Sequence, residues 1–329
     1  MKLIGNFWFL KSPNGMFHYG MEVLSDLGFE EIEIIFHKRI KNERLDLPAH
    51  AKVRFLGFFG FLIVYFKLLI KRSFLYSPTV HCLPFVSRQV STLHDSYPFN
   101  KTFLNWKLNA LRLLYYLSNP ILCVVNRSDA FKFSCRLRTL KTIIYPNRIS
   151  NSITPILNPS YGKKTVIGLF GTDSNKKNYY ELFDNLDKDI VDKYCFYVYG
   201  TWNNYIKTLI NQYQDFEIVF FDSTNVSIFD FISQISCALS VAKGEGFARP
   251  IAYSLISGRR IFLINSPVFK EFYSGSAIFF DNIFEVTSAI DSGMTDSQNY
   301  CPIDFQITLH NIHNDIAFGR KFLIQYYSD

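Results

Sequence analysis

The chain is predicted to fold as two doubly wound α/β domains, and three observations carry that expectation. Its 329 residues suffice for two domains, since a single domain commonly takes about 100 to 200 residues. Between Thr165 and Ile290, six apolar strand runs alternate with six helical segments, a pattern that demands a parallel sheet with right-handed crossovers. Within it, Cys237 to Ile264 (CALSVAKGEGFARPIAYSLISGRRIFLI) reads as one complete strand, loop, helix, strand unit. Its loop therefore falls at the C-terminal edge of a parallel sheet, where open α/β sheets bind ligands.

In the first half, Lys2 to Phe9 is an apolar strand, Lys11 to Gly15 a turn, and Met16 to Leu27 a helix with apolar residues at Met16, Tyr19, Val23 and Leu27. Strand, glycine loop and helix open a Rossmann half, although no GxGxxG is present. Ile32 to Phe36 and Lys52 to Leu56 follow as strands, and then an apolar helix ends at Lys71-Arg72. The apolar run Phe55 to Ile70 is 16 residues long and contains Lys67; a spanning helix needs about 20 apolar residues, so it is not read as transmembrane. Gln89 to Phe99 is a strand run that finishes in His94-Asp95. Asn105 to Leu117 is a basic amphipathic helix, Ile121 to Val125 a strand, and a short helix follows Ser128. Lys141 to Tyr145 is the last strand of this half, and residues 151–162, rich in Asn, Ser and Pro, read as a linker.

The second half places strands at Thr165 to Phe170, Cys195 to Tyr199, Glu217 to Phe221, Cys237 to Val241, Ile261 to Ile264 and Ala277 to Phe280. Helices are expected near Asn178 to Leu186, Asn203 to Tyr213, Ile228 to Ser236, Pro250 to Ser257, Pro267 to Tyr273 and Asn282 to Ile290. Pro250 suits a first helical turn, where its missing N–H is no loss, and Gly258 suits the stop. The helix start favours an anion, with Glu245 beside it. Two lysines, Lys176 and Lys177, lie in the turn after the first of these strands, where they can neutralise a diphosphate. The tail from His310 to Asp329 has helical spacing at Ile312, Ile316 and Leu323. The domains are thus read as 1–150 and 163–309, with 310–329 a terminal helix.

Two motifs resemble the retaining glycosyltransferases of the GT-B fold, glycosyltransferase family 4. The first is the small apolar strand, then Glu245-Gly246-Phe247, Pro250, a short helix and Gly258; the second is Gly171-Thr172 followed by Lys176-Lys177-Asn178. The resemblance implies two Rossmann-like doubly wound domains facing across a cleft, with the terminal helix crossing back to the first. It also implies transfer of a sugar from a nucleotide-sugar donor, with retention of configuration by front-face attack. By that resemblance, Glu245 contacts the transferred sugar and Lys177 holds the leaving diphosphate. Gly171, Lys176, Asn178, Gly246, Phe247, Ala248 and Arg249 surround the donor, His94 lies near the reacting sugar, and Gly15 borders the acceptor side. A second glutamate, eight positions after the first, contacts the donor ribose in that family; here the position is Tyr253. A phenol only partly replaces two carboxylate oxygens. The chain is therefore also compatible with an inactive GT-B partner of another transferase.

Composition bounds the partners. A hydrophobic fraction of 48% and a charged fraction of 19% describe a globular chain. The net charge of +7 is uneven: residues 1–150 carry +12 and residues 151–329 carry −5. The basic half suits an anionic membrane face or a diphosphate-linked acceptor. Nucleic acid is the other standard explanation for a basic surface, but no nucleic-acid motif is present and none is expected to bind. Val64 to Arg72, Asn105 to Leu117 and Lys132 to Lys141 are the expected membrane-facing segments. Six scattered cysteines read as buried free thiols in a reducing compartment, and no signal peptide is visible. These readings imply a cytoplasmic protein, in peripheral contact with the inner membrane, acting on a lipid-linked or oligosaccharide acceptor in O-antigen or capsule assembly. No metal is expected: Asp187-Lys188-Asp189 falls at a helix end, and His310 and His313 lack a third ligand nearby. No cofactor is expected beyond the nucleotide sugar itself.

Overall fold

The structure, a computed structural model, describes residues 2–12, 14–41, 43, 45–48, 50–71, 73–95, 105–137, 141–149, 164–172, 175–292 and 303–328. The chain divides into two compact units, residues 1–148 with 311–329, and residues 149–310. The segment read as a linker, 151–162, lies outside the described residues.

In the first unit β1 (Lys2–Phe7), β2 (Glu31–His37), β3 (Lys52–Leu56), β4 (Phe74–Ser77), β5 (Gln89–Leu93), β6 (Ile121–Val124) and β7 (Thr142–Ile144) form one sheet. Every pairing is parallel, and the order is β3-β2-β1-β4-β5-β6-β7. Order reverses between β1 and β4, which makes that junction the crevice of this sheet. Crossover helices α1 (Gly15–Leu27), α2 (Phe58–Ile70), α3 (Asn105–Ser118) and α4 (Arg127–Leu137) connect the strands. Asn14 caps α1 by accepting from the Met16 and Phe17 N–H groups, and Gly28 ends it at φ +65; that left-handed position is why a glycine follows Leu27.

The second unit repeats the plan with β8 (Thr165–Phe170), β9 (Tyr194–Gly200), β10 (Ile218–Asp222), β11 (Cys237–Ser240), β12 (Arg260–Ile264) and β13 (Ile278–Phe280). Its order is β10-β9-β8-β11-β12-β13, again all parallel. The reversal here lies between β8 and β11, whose Ile167 and Leu169 pair with Cys237 and Leu239. Helices α5 (Tyr179–Asp184), α6 (Asn204–Gln212), α7 (Ile228–Ser233), α8 (Arg249–Ile256), α9 (Pro267–Tyr273) and α10 (Ile283–Asp291) follow successive strands. Ile167, Leu182, Phe196, Val198, Leu209 and Leu239 are among the side chains buried in one continuous core. The α/β architecture read from the sequence is the observed one.

Among the strands and α-helices, β4 and the last helix differ most from the expectation. β4 was not foreseen: its four residues are all buried, and a run that short, apolar on both faces, has no period to read. The last helix, α11 (Ile303–Ser328), starts seven residues before the expected His310. Phe305 and Leu309 continue the buried spacing of Ile312 and Ile316 backwards, so the signal was present. Of the six cysteines, Cys82, Cys123, Cys195 and Cys237 are buried and free, while Cys301 and the Cys135 side chain lie outside the description. Burial pushes the Cys82 thiol up to about 11 and Cys123 to about 12, which leaves both unreactive at neutral pH.

Within the first unit α11 is fixed by close packing. A Cβ at Gly319 would stand 2.7 Å from the Tyr145 ring and 3.1 Å from the Ile144 carbonyl oxygen. The Arg127 guanidinium grips both Asp315 oxygens at 2.6 and 2.7 Å, and the Tyr327 hydroxyl donates to the Leu75 carbonyl at 3.3 Å. Helix propensity favours Ala over Gly by about 1 kcal/mol, whereas overpacking against backbone costs about 1–3 kcal/mol. Gly319→Ala should therefore lower the thermal midpoint; an unchanged or raised midpoint by calorimetry would show that α11 does not pack this closely.

Candidate active site

The C-terminal ends of β8 and β11 carry the two loops that hold most of the sequence-predicted residues. Gly171 follows β8 at φ +87, and its N–H donates to the Tyr199 carbonyl at 2.7 Å. A 3-10 turn, Asn175–Lys177, not foreseen from the sequence, leads into α5. Asn178 stands between them at φ +63, a left-handed conformation that Asn tolerates better than most side chains. Its place in the motif thus has a backbone reason as well as a chemical one.

The loop after β11 is stapled to that turn and to α5. The Lys243 N–H donates to the Lys176 carbonyl at 2.8 Å, and the Lys243 ammonium pairs with Glu181 at 2.6 Å. Glu181 also takes a hydrogen bond from Asn178, and these partners hold its carboxyl below the ordinary value. The staple brings Lys177 Nζ to 2.7 Å from Glu245 Oε1, with both side chains largely buried, 15% and 12% exposed. Burial alone pushes the Glu245 carboxyl up, but the Lys177 and Lys176 charges and the Lys177 hydrogen bond outweigh it and hold it below the ordinary value. Glu245 is therefore ionised at neutral pH, an acceptor for hydroxyl hydrogens rather than an acid.

Beyond Glu245 the chain is held in a costly shape. Ala248 caps α8 at φ 59, ψ 63, a conformation that costs a residue with a Cβ about 1–3 kcal/mol unless its surroundings impose it. The imposing group is Tyr273, whose buried hydroxyl donates to the Phe247 carbonyl at 2.7 Å and the Ala248 carbonyl at 3.2 Å. Burial, with the Glu245 charge beside it, pushes that phenol well above its ordinary value, so it remains a donor. Sequence reading missed Tyr273, which lies at the end of α9 with no motif around it. It also assigned no role to Thr172, whose hydroxyl donates to the Thr201 carbonyl at 2.5 Å while Asn203 donates to the Thr172 carbonyl at 2.6 Å. These bonds fix the first loop from the β9 side.

Phe247 is buried, its ring 4.6 Å from that of Phe272, so only its main chain can face a ligand. Gly246 lies between it and Glu245, and Arg249 opens α8. Tyr253 is one turn further on, half-buried, with its ring 5.3 Å from Phe229. Two predicted residues belong instead to the first unit. Gly15 is the first residue of α1, where an added Cβ would meet nothing within 4 Å. His94 follows β5, its ring edge-on to Tyr19 and its Nε2 2.8 Å from the Pro78 carbonyl oxygen. A carbonyl only accepts, so Nε2 carries the proton. In the neutral ring Nδ1 is then an acceptor, able to take a hydrogen bond from a hydroxyl. Among the described residues, no group of three or more His, Cys, Asp or Glu gathers to hold a metal.

No protein-family profile matches the chain, and no curated protein matches it in sequence. Solved structures resemble it over its whole length. WaaG, a glycosyltransferase involved in lipopolysaccharide biosynthesis, aligns with a TM-score of 0.69 at 10% identity, covering 98% of each chain. Anabaena HepE, solved in complex with UDP and glucose, aligns at 0.66 and 14% identity, covering 100% of this chain and 97% of its own. The lipopolysaccharide outer core galactosyltransferase WaaB aligns at 0.66 and 11% identity over 100% of both. With two all-parallel doubly wound sheets and these neighbours, the chain has the GT-B fold of the glycosyltransferases.

Proposed function

We propose that the chain is a glycosyltransferase that moves a sugar from a nucleotide-sugar donor to a hydroxyl of a glycan or lipid-linked acceptor, with retention of configuration. The single observation behind this reading is the ion-paired Lys177 and Glu245, held at the strand-order reversal of the second sheet. A donor diphosphate set against the Lys176-Lys177 turn and the start of α8 would meet two ammonium groups and backbone N–H groups. The ionised Glu245 would accept from hydroxyls of the transferred sugar. As the C1–phosphate bond breaks, negative charge grows on the departing phosphate, and Lys177 stabilises it where it forms. The acceptor oxygen bonds to C1 on the same face, and its proton passes to the departing phosphate. This route uses cations of the chain where other transferases use a metal, and its operation without one is part of the proposal. HepE, solved with UDP-glucose as well as with UDP and glucose, makes UDP-hexoses the first donors to try. Surface polysaccharide assembly on the cytoplasmic side of the inner membrane is the proposed setting.

Tyr253 motivates one other reading, a GT-B chain without catalysis that supports another transferase. Turnover by the wild type, retained in Tyr253→Phe, would eliminate it; no turnover in the wild type together with turnover in Tyr253→Glu would favour it.

The primary test is a thermal-shift screen against nucleotide sugars, followed by NMR of the product anomer. A donor that stabilises the chain and yields a product of unchanged configuration is expected; the absence of binding to any nucleotide sugar would overturn the reading. Lys177→Ala should lower kcat by roughly 100-fold or more with the fold intact. Tyr273→Phe removes the hydroxyl donor of the Phe247 carbonyl, while the Ala248 carbonyl still accepts from the Ile251 N–H; the change should cost about 1–3 kcal/mol of stability, together with donor affinity, and wild-type values for both would show that Tyr273 does not hold the loop. Because the folded Glu245 carboxyl is lowered, its contribution is present above the ordinary carboxylate value and is lost as pH falls through the lowered one. The stability gap between wild type and Glu245→Gln should thus be full at neutral pH and close only below about pH 4.

A further inference from the structure

We propose that the outward face of α2 docks the chain on an anionic lipid bilayer. The sequence of this helix, FFGFLIVYFKLLI, is apolar all round, a composition that normally belongs to a fully buried helix. Only one side is buried: Phe61, Val64 and Leu68 pack with Ile4, Ile35 and Leu75. The other side is open to solvent. Phe58, Phe59, Ile63, Phe66 and Ile70 are each more than half exposed, Phe59 and Ile70 at 80% and 82%. At 3.6 residues per turn these positions share an arc of roughly 140°, with Lys67 at its edge. Phe85, 66% exposed at φ +61, is next to Pro84, whose carbonyl accepts from the Tyr65 hydroxyl of α2 at 3.0 Å. An exposed apolar face of this kind on a folded unit marks an interaction surface.

Charge selects the occupant. Residues 38–72 contain nine Lys and Arg against two Asp and Glu, and α2 itself has no acidic residue. The Lys38 stem lies along the helix start, about as near as 3.6 Å to where a Gly57 Cβ would be, and Lys67 and Lys71 are exposed at the helix end. A basic rim around an aromatic and branched apolar face matches an anionic bilayer, where lysines meet headgroups and apolar side chains enter the acyl boundary. A second copy of the chain fits worse, because a two-fold contact through this face would set the same basic rim against itself. Thirteen residues span about 20 Å, short of a hydrocarbon core of about 30 Å. Among the described residues no helix is long and apolar enough to cross a membrane, so α2 would lie in the interface. Its inner face is already packed, and docking needs no coupled folding.

The surface stands apart from the donor chemistry, and so does its test. Flotation of the full chain with vesicles of phosphatidylcholine, with and without phosphatidylglycerol, measures docking directly. The wild type should float only with the anionic vesicles, and less as salt rises. The triple variant Phe59→Ser, Phe66→Ser, Ile70→Ser should bind them at least about tenfold more weakly while keeping its nucleotide-sugar response. Independently, the added indole emission of a Phe59→Trp variant should shift to the blue when anionic vesicles are added, whether or not the triple variant folds. The proposal is overturned if the wild type ignores anionic vesicles, if the triple variant binds them equally well, if the Phe59→Trp emission does not shift, or if the wild type is a dimer that the triple variant makes monomeric.

Discussion

The second unit is organised around one contact, the 2.7 Å pair between Lys177 and Glu245. Neither loop alone would place its charged group in a nearly dry position, since a lone buried charge is expensive. Together they offset one another, and the Lys176 charge adds to the balance. Around the pair, several local features of the described residues hold it. The Lys243 staple joins the loops, Asn178 and Gly171 take left-handed conformations, and Tyr273 clamps the strained Ala248. A site that keeps both charges ready before a ligand arrives has less reorganisation to perform when charge develops.

The same fold logic generates both sheets. In each, parallel strands run outward in two directions from a central junction, β1 with β4 and β8 with β11. The sequence made this legible in the second unit because strands and helices there alternate regularly and are separated by glycine and proline signals. It was less legible in the first unit, where β4 is four residues long and buried on both sides, so hydrophobic periodicity had nothing to work on. Helix ends were also blurred, as the early start of α11 shows: its amphipathic spacing begins at Phe305, in a polar stretch that hides it.

Within the candidate site, the chemistry-bearing residues were legible and the supporting ones were not. Glu245, Lys176 and Lys177 lie in short motifs at strand ends, where spacing along the chain is informative. Tyr273 lies 28 residues after Glu245, and its role depends on a hydroxyl reaching two carbonyls across the fold. Thr172 and Asn203 act on each other across neighbouring loops in the same way. Such residues act through backbone groups, and no residue-type pattern reports them. Exposure is only partly legible in sequence: Val64 to Arg72 reads as membrane-facing, whereas nothing in the apolar run marks Phe58, Phe59 and Ile63 as exposed.

The most direct measurement is a crystal structure of the chain with a bound nucleotide sugar. The diphosphate oxygens should lie within hydrogen-bond distance of Lys177 and of the N–H groups opening α8, with sugar hydroxyls on Glu245. A nucleotide bound elsewhere in the second unit, with the Lys177 to Glu245 pair facing no ligand atom, would contradict the account.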